Sequence, residues 1–257
     1  MAGMPQSSRI ALITGANRGI GRSAALHLAR DGVDVIVTYR THADEAEAVV
    51  AEITELGRTA VALPLDVGDV ASFDAFAASV RGALHGVWSR DTFDVLVNNG
   101  GMSRGGSIAD VTEEDVDALI DVHFKGVLFL TQKLLPLLAD GGSIVNLSSG
   151  LARFTGPQRA VYGSVKGALE VLTRYMAAEL GPRGITANVI APGPVATDFS
   201  GGLVRDNAEV REHLVSMTAL GRHAVADDIG GAIAALVSPG NRWVTGQRIE
   251  VSGGIHL

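Results

Sequence analysis

A short apolar run, Arg9-Ile-Ala-Leu-Ile-Thr14, passes straight into glycines and then into a helical pattern from about Ile20 to Asp31. Strand, tight turn and helix in that order constrain the fold, because the same unit recurs along the chain. Further strand patterns fall near Val33 to Thr38, Ala60 to Leu65, Phe93 to Asn98, Ser143 to Leu147, Thr186 to Ile190 and Arg248 to Val251. Helical segments separate them. Strands alternating with helices require right-handed crossovers and a parallel sheet covered on both faces. Near-continuous apolar strands such as Val33-Asp-Val-Ile-Val37 and Val95-Leu-Val97 agree, since central parallel strands are buried on both sides. The expected fold is α/β, a doubly wound parallel sheet of about seven strands with helices on both faces, the Rossmann arrangement. It should form one domain over residues 9–257 behind a flexible segment at 1–8, since no glycine- or proline-rich linker divides the chain.

Composition narrows what such a domain does. The 257 residues are 47% hydrophobic, enough for a large core and too apolar for disorder. A net charge of −7 disfavours non-specific attraction to nucleic acid or to anionic membrane surfaces. The chain has no cysteine, so disulfides and thiolate metal sites are ruled out. Its seven histidines form no HxxxH or HExxH pair, and no metal is expected. Residues 1–8 lack the basic start and apolar run of a signal peptide, and Val127 to Ala139 is too short for a membrane span. The expectation is a cytoplasmic protein.

The first turn, Thr14-Gly-Ala-Asn-Arg-Gly-Ile-Gly21, places glycines at 15, 19 and 21 between strand and helix. Glycines there let the backbone turn sharply and approach a pyrophosphate, which helix N-terminal amides stabilise. Gly15, Asn17, Arg18, Gly19, Ile20 and Gly21 are therefore candidate cofactor residues. The second strand ends Thr38-Tyr39-Arg40 with no acid to hold ribose hydroxyls. Tyr39 and Arg40, with Arg18, suit a 2′-phosphate, so NADP(H) is expected. Asp66-Val67 and Asn98-Asn-Gly100-Gly101 close the next two strands where a dinucleotide would lie. Thr197 to Leu220, with Ser200-Gly-Gly202 leading into a polar helical stretch, is the natural place for a substrate lid.

Tyr162-Gly-Ser-Val-Lys166 places a phenol and an ammonium four apart on one helix face. A nearby positive charge favours phenolate and should move the tyrosine down toward the working range. Ser149, thirteen positions earlier, is able to hold a carbonyl oxygen beside the phenol. Ser148 competes for that role at a spacing one residue longer.

Taken together, TGANRGIG, Asp66-Val67, NNGG at 98 to 101, Ser149, YGSVK at 162 to 166, PGPVAT at 192 to 197, Thr245-Gly-Gln and Ser252-Gly-Gly254 resemble the short-chain dehydrogenase/reductase family. The resemblance runs from about Arg9 to the C-terminus. It implies hydride transfer between nicotinamide and a carbonyl or alcohol carbon, with Tyr162 as proton donor or acceptor and Ser149 orienting the oxygen. It further implies that Lys166 binds the nicotinamide ribose, that Pro192, Gly193 and Val195 belong to the cofactor loop, and that Thr197 contacts the carboxamide. Relatives of this length suggest a homotetramer or homodimer. Most members carry asparagine where this chain has His123, a position credited with holding a water that links the lysine to solvent. An imidazole relaying protons near neutral pH and one that only satisfies buried hydrogen bonds are both open readings.

The leading reading is an NADP(H)-dependent reductase of small or medium ketones and aldehydes. A reductase of 3-oxoacyl groups on an acidic carrier protein is the alternative, set back by Leu138-Ala-Asp-Gly-Gly142 and the −7 charge. A non-catalytic NADP(H) sensor is the third, opposed by the presence of serine, tyrosine and lysine together. The substrate pocket should be walled by residues after Gly101, by Leu151 to Phe154, by Pro194-Val195 and by the lid. Arg104 and Arg153 are candidates to meet an acidic substrate, or to face solvent.

Overall fold

Each of the apolar runs becomes a strand of one parallel sheet. The computed structural model describes residues 8–257, so the expected flexible segment lies outside the described residues apart from Ser8. The strands are β1 (Ile10–Ile13), β2 (Asp34–Tyr39), β3 (Ala60–Pro64), β4 (Phe93–Asn98), β5 (Leu138–Leu147), β6 (Thr186–Pro192) and β7 (Arg248–Val251). Their order across the sheet is β3-β2-β1-β4-β5-β6-β7, all parallel. β5 starts earlier than expected because Leu138 pairs with Phe93 ahead of a register shift through Ala139 to Gly142.

The helices are α1 (Gly19–Arg30), α2 (Ala43–Glu55), α3 (Phe73–Trp88), α4 (Glu113–Ile120), α5 (Gly126–Leu134), α6 (Ala160–Leu180), α7 (Leu203–Asp206), α8 (Ala208–Ser216) and α9 (Ala226–Leu236). The two-residue period of a strand divides the core between the two faces of the sheet. Ala11 and Ile13 pack with Val35, Val37 and the apolar faces of α1, α2 and α9. Ile10 and Leu12 pack with Ile36, Leu96 and the apolar faces of α3, α5 and α6. All four β1 residues are fully buried, as a central strand covered by two helical layers must be.

The sheet order reverses direction between β1 and β4, where the crossovers leave to opposite sides and open a crevice beyond the strands' carboxyl ends. Thr14, Asn99, Ser149 and Gly193 all follow strand ends at that rim.

In the segment expected to form a lid, residues 197–220, a turn at Phe199–Gly202 with three left-handed residues, Ser200, Gly201 and Gly202, leads into α7 and α8. Residues 217–220 then pair with the C-terminal tail: Ala219 N–H donates to Gly254 O, Leu220 N–H to Gly253 O, and His256 N–H to Met217 O. Three backbone hydrogen bonds hold that end of the segment to the tail.

α1 and α9 meet closely at Gly230, where an added Cβ would lie 2.3 Å from Ser23 Oγ and 2.7 Å from the Ser23 carbonyl carbon. Gly230→Ala should therefore lower the unfolding free energy by about 1–3 kcal/mol, overpacking outweighing improved helix propensity. Gly82→Ala on the open face of α3, with nothing within 4 Å, should raise it by up to about 1 kcal/mol. Urea unfolding of both variants checks the contrast; equal effects would show that the helices part freely.

Candidate active site

The turn after β1 is shaped by its glycines. Gly15 and Gly19 hold left-handed conformations (φ 61° and 58°), which side chains resist. A Cβ on Gly21 would lie 2.4 Å from Gly15 O and 2.5 Å from the Asn99 side chain, so only glycine fits. Arg18 is the N-cap of α1 and makes no capping hydrogen bond, and the helix's first turn carries no acid. Its first amides are left without a side-chain partner, and their partial positive charge favours an anion such as a pyrophosphate.

Asn99, which the sequence reading passed over, holds this turn in place. Its side-chain amide donates to the carbonyls of Thr14 (2.9 Å) and Gly15 (3.0 Å), while Thr14 Oγ1 accepts from the N–H groups of Asn99 (2.9 Å) and Gly100 (2.7 Å). Asn98, the predicted cofactor residue, turns the other way. Its amide donates to Asn146 Oδ1 (2.8 Å) and Thr131 Oγ1 (3.3 Å) within the sheet interior, so its side chain is not available to a ligand. Gly100 packs so closely on Thr14 and Val67 that a Cβ there would touch both at 3.2–3.3 Å.

The other predicted cofactor residues line the same rim. Asn17 donates to Glu45 Oε2 (2.7 Å), and Arg18 lies 3.9 Å from Asp198. Ile20 packs partly buried against the core beneath the turn, and Tyr39 ends β2 beside an exposed Arg40. Asp66 accepts from Gly68 N–H (2.9 Å) across a tight turn, and the Val67 carbonyl faces Gly126 at the start of α5. Pro192 ends β6 and Gly193 follows it, packed against Ser252, while Val195 bridges to Ala224. Thr197 sits beside Gly19, its methyl 3.8 Å from where a glycine Cβ would be. Glycine turn and β6 loop therefore close on one crevice.

Across that crevice, α6 presents Tyr162 and Lys166, both buried. Lys166 Nζ donates to Leu147 O at 2.6 Å and lies 5.7 Å from the centre of the Tyr162 ring. Ser149 caps the short turn Gly150–Ala152, accepting from Leu151 N–H (3.2 Å), and its hydroxyl is close enough to the Tyr162 phenol to favour the ionised form. Ser148 is committed elsewhere, donating to Glu170 Oε1 at 2.7 Å. That resolves the choice between the serines by geometry.

Burial dominates the electrostatics and corrects the expected direction of the phenol. Desolvation pushes Tyr162 up to about 12, only partly opposed by the Ser149 hydroxyl and the positive charge of Arg159. The same desolvation lowers Lys166 to about 7. Without a ligand the tyrosine is therefore protonated, while burial brings the lysine into the range where it exchanges its proton near neutral pH.

His123 lies in a π-helical turn, Asp121–Lys125, between α4 and α5, and is buried against Tyr162 with ring centres 5.4 Å apart and planes perpendicular. A Cβ on Gly101 would approach its ring to 2.7 Å, so the glycine makes room for the imidazole. Its Nε2–H donates to Met102 O at 2.7 Å, which leaves the lone pair on Nδ1. Burial, and then the charge of Lys166, lowers its pKa to about 3. Of the two open readings for His123, burial opposes the one in which the ring itself takes up a proton near neutral pH, and the bond to Met102 O is the buried hydrogen bond of the other.

The walls of the crevice hold two more departures. Phe199 stands with its ring centre 6.2 Å from that of Tyr162. Arg104 is neutralised by Asp115 (2.8 Å) and Glu114 (3.2 Å), and Arg153 by Glu250 (2.7 Å), so neither predicted arginine is free for an acidic substrate.

A family model described as enoyl-(acyl carrier protein) reductase matches residues 15–256. An uncharacterized oxidoreductase of Methylorubrum extorquens is 40% identical over 248 residues, 96% of this chain and 97% of that protein. The 3-oxoacyl-(acyl-carrier-protein) reductase FabG of Staphylococcus aureus is 37% identical over 252 residues, 97% of this chain and 99% of its own length. The crystal structure of the angucycline C-6 ketoreductase LanV with bound NADP matches at a TM-score of 0.90 and 36% identity, over 96% of this chain and 95% of that one. The chain belongs to the short-chain dehydrogenase/reductase family and is an oxidoreductase. No helix among the described residues is long and apolar enough to cross a membrane.

Neutral His123 has a measurable consequence. Its ordinary pKa of 6.5 in the unfolded chain exceeds the folded value of about 3, so below pH 6.5 the unfolded state binds a proton that the native state refuses. This group's contribution to stability is present above 6.5 and is lost as pH falls, with a slope approaching 1.4 kcal/mol per pH unit. His123→Asn should flatten the difference in unfolding free energy between pH 7 and pH 5 relative to the parent. An unchanged slope would place a charged, hydrated imidazole in the site.

Proposed function

We propose that the protein is an NADP(H)-dependent reductase of small or medium carbonyl compounds, in which Tyr162 is the general acid. The geometry of α6 carries the reading: buried Tyr162 and Lys166 stand one turn apart on one helix face, Lys166 Nζ 5.7 Å from the centre of the phenol ring, at the crevice that Ser149 also borders. Bound NADPH would supply the hydride. Ser149 orients the carbonyl oxygen, Tyr162 delivers its proton to that oxygen as it becomes an alcohol, and Lys166 beneath the ring stabilises the phenolate left behind.

The residues fit the dinucleotide in four respects. The uncapped α1 N-terminus and the glycines at 15, 19 and 21 suit its pyrophosphate. Exposed Arg40, with Arg18 and no acid at the end of β2, suits a 2′-phosphate. Lys166 is placed to hold ribose hydroxyls, and Thr197 stands beside Gly19 at the mouth of the crevice. LanV, whose structure contains NADP, supports this choice of cofactor and the ketone class of substrate. The FabG relative favours a second reading, reduction of a 3-oxoacyl group on a carrier protein, and Arg183 near β5 is already paired with Asp140.

The segment from Thr197 to α8 serves as the lid in this reading, with Phe199 over the tyrosine and the left-handed run at Ser200–Gly202 as its hinge. The protein acts in the cytoplasm as one domain. It assembles as a homotetramer or homodimer, a reading supported by exposed Val171 and Tyr175 on the outer face of α6 and by exposed Trp243.

NADPH oxidation against ketones, aldehydes and a carrier-linked 3-oxoacyl group, with NADH in parallel, tests the proposal. Tyr162→Phe should cut turnover by about 10²–10⁴-fold while NADPH still binds. Arg40→Ala should reduce kcat/KM for NADPH by roughly tenfold or more and leave NADH nearly unchanged. Equal use of both cofactors by the parent, or full activity of the phenylalanine variant, would overturn it.

A further inference from the structure

Three arginines lie in the segments flanking Tyr162, and two of them are spoken for. Arg104 is held by Asp115 and Glu114, and Arg153 by Glu250. Arg159 is half-buried, and among the described residues no carboxylate lies within ion-pair distance of it. Its one hydrogen bond is to the neutral hydroxyl of Ser103, Nη1 to Oγ at 2.7 Å. A guanidinium has five N–H donors in a fork that matches a carboxylate, and a half-buried one without an anion is electrostatically incomplete.

The backbone holds this group at the end of the helix that carries Tyr162. Arg159 is the N-cap of α6 and lies three residues before Tyr162, so the two share a helix face. Gln158 before it holds a left-handed conformation (φ 58°), and its carbonyl accepts from Gly106 N–H. A Cβ on Gly105 would meet the guanidinium at 3.3 Å, which places Arg159 against the loop after β4, one wall of the crevice. Its charge is felt at the phenol, whose pKa it lowers. The neighbouring acids, Asp115 and Glu114, face Arg104 instead.

We propose that Arg159 binds a carboxylate on the carbonyl substrate, and that the favoured substrates are oxo acids with a few bonds between the two groups. This rests on the reductase reading and names its substrate class. Two parallel N–H···O bonds from Arg159 would fix the acid end, while Ser149 and Tyr162 take the ketone oxygen at the other. Arg159 is then the specificity-determining residue of the site, the place that Arg104 and Arg153 were expected to fill.

Matched pairs test this: 3-, 4- and 5-oxo acids against their neutral carboxamides, with NADPH oxidation measured for the parent, Arg159→Gln and Arg159→Lys. For at least one pair kcat/KM should favour the acid by roughly tenfold or more, chiefly through KM. Arg159→Gln should bring that ratio close to one, and Arg159→Lys should recover part of it. The ratio is the decisive quantity, because any change in the acidity of Tyr162 affects acid and amide alike. Amides reduced as well as acids by the parent, or a preference that survives in Arg159→Gln, would overturn the substrate class while leaving the reductase intact. Reduction of neither member of any pair would instead remove the reductase reading beneath it.

Discussion

The joint between Thr14 and Asn99 is the constraint on which the site depends. Strand order reverses between β1 and β4, and a parallel sheet has no hydrogen bonds to spare beyond its strand ends. Four hydrogen bonds replace the missing ladder there: two from the Asn99 amide to main-chain carbonyls and two from main-chain N–H groups to Thr14 Oγ1. They hold the glycine turn open at a fixed distance from the β4 loop, and that loop carries Met102 and Ser103 to His123 and Arg159. One polar joint thus sets both the anion-receptive turn and the wall opposite the tyrosine.

Burial decides the chemistry of the other half. Tyr162, Lys166 and His123 share one dry space, and desolvation moves each toward its neutral form: the phenol up, the ammonium and the imidazole down. A protonated phenol and an amine that exchanges its proton near neutral pH give a site with little charge before a ligand enters. Ribose hydroxyls hydrogen-bonded to Lys166 would favour its ammonium form, and that ammonium would in turn favour phenolate at Tyr162. The dry environment makes a hydrogen bond from Ser149 count for more than it would in water.

Strands were legible because buried parallel strands write themselves as unbroken apolar runs; all seven fall where the sequence puts them, within a few residues. The Ser149, Tyr162 and Lys166 cluster was legible because helix periodicity and motif order fix it. The sign of the tyrosine's shift was not, since counting a neighbouring charge says nothing of how deeply both groups are buried. Asn98 and Asn99 are adjacent and chemically identical, and only the pleat decides which one faces the sheet interior and which the turn. The pairing of residues 217–220 with the tail was not legible, because the tail is distant in sequence. Arg159 could have been found from its three-residue spacing to Tyr162, while the neutralisation of Arg104 and Arg153 required partners supplied by other elements.

A chain of net charge −7 that accepts anions must do so locally, and the helix termini show how. Most of its helices neutralise their own N-termini with acids in the first turn: Asp44 and Glu45 in α2, Asp74 in α3, Glu113, Glu114 and Asp115 in α4, and Asp227 and Asp228 in α9. Two long helices that begin freely do not. α1 starts at Arg18 and α6 at Arg159; neither cap residue makes a side-chain capping bond, and neither first turn carries an acid. Each therefore combines a guanidinium with unneutralised amide dipoles, the two sources of positive potential adding at one point. Both termini open on the same crevice, one beneath the glycine turn and the other beside the tyrosine. In the reading proposed above, the dinucleotide and the oxo acid are two anions, and these two termini would receive one each.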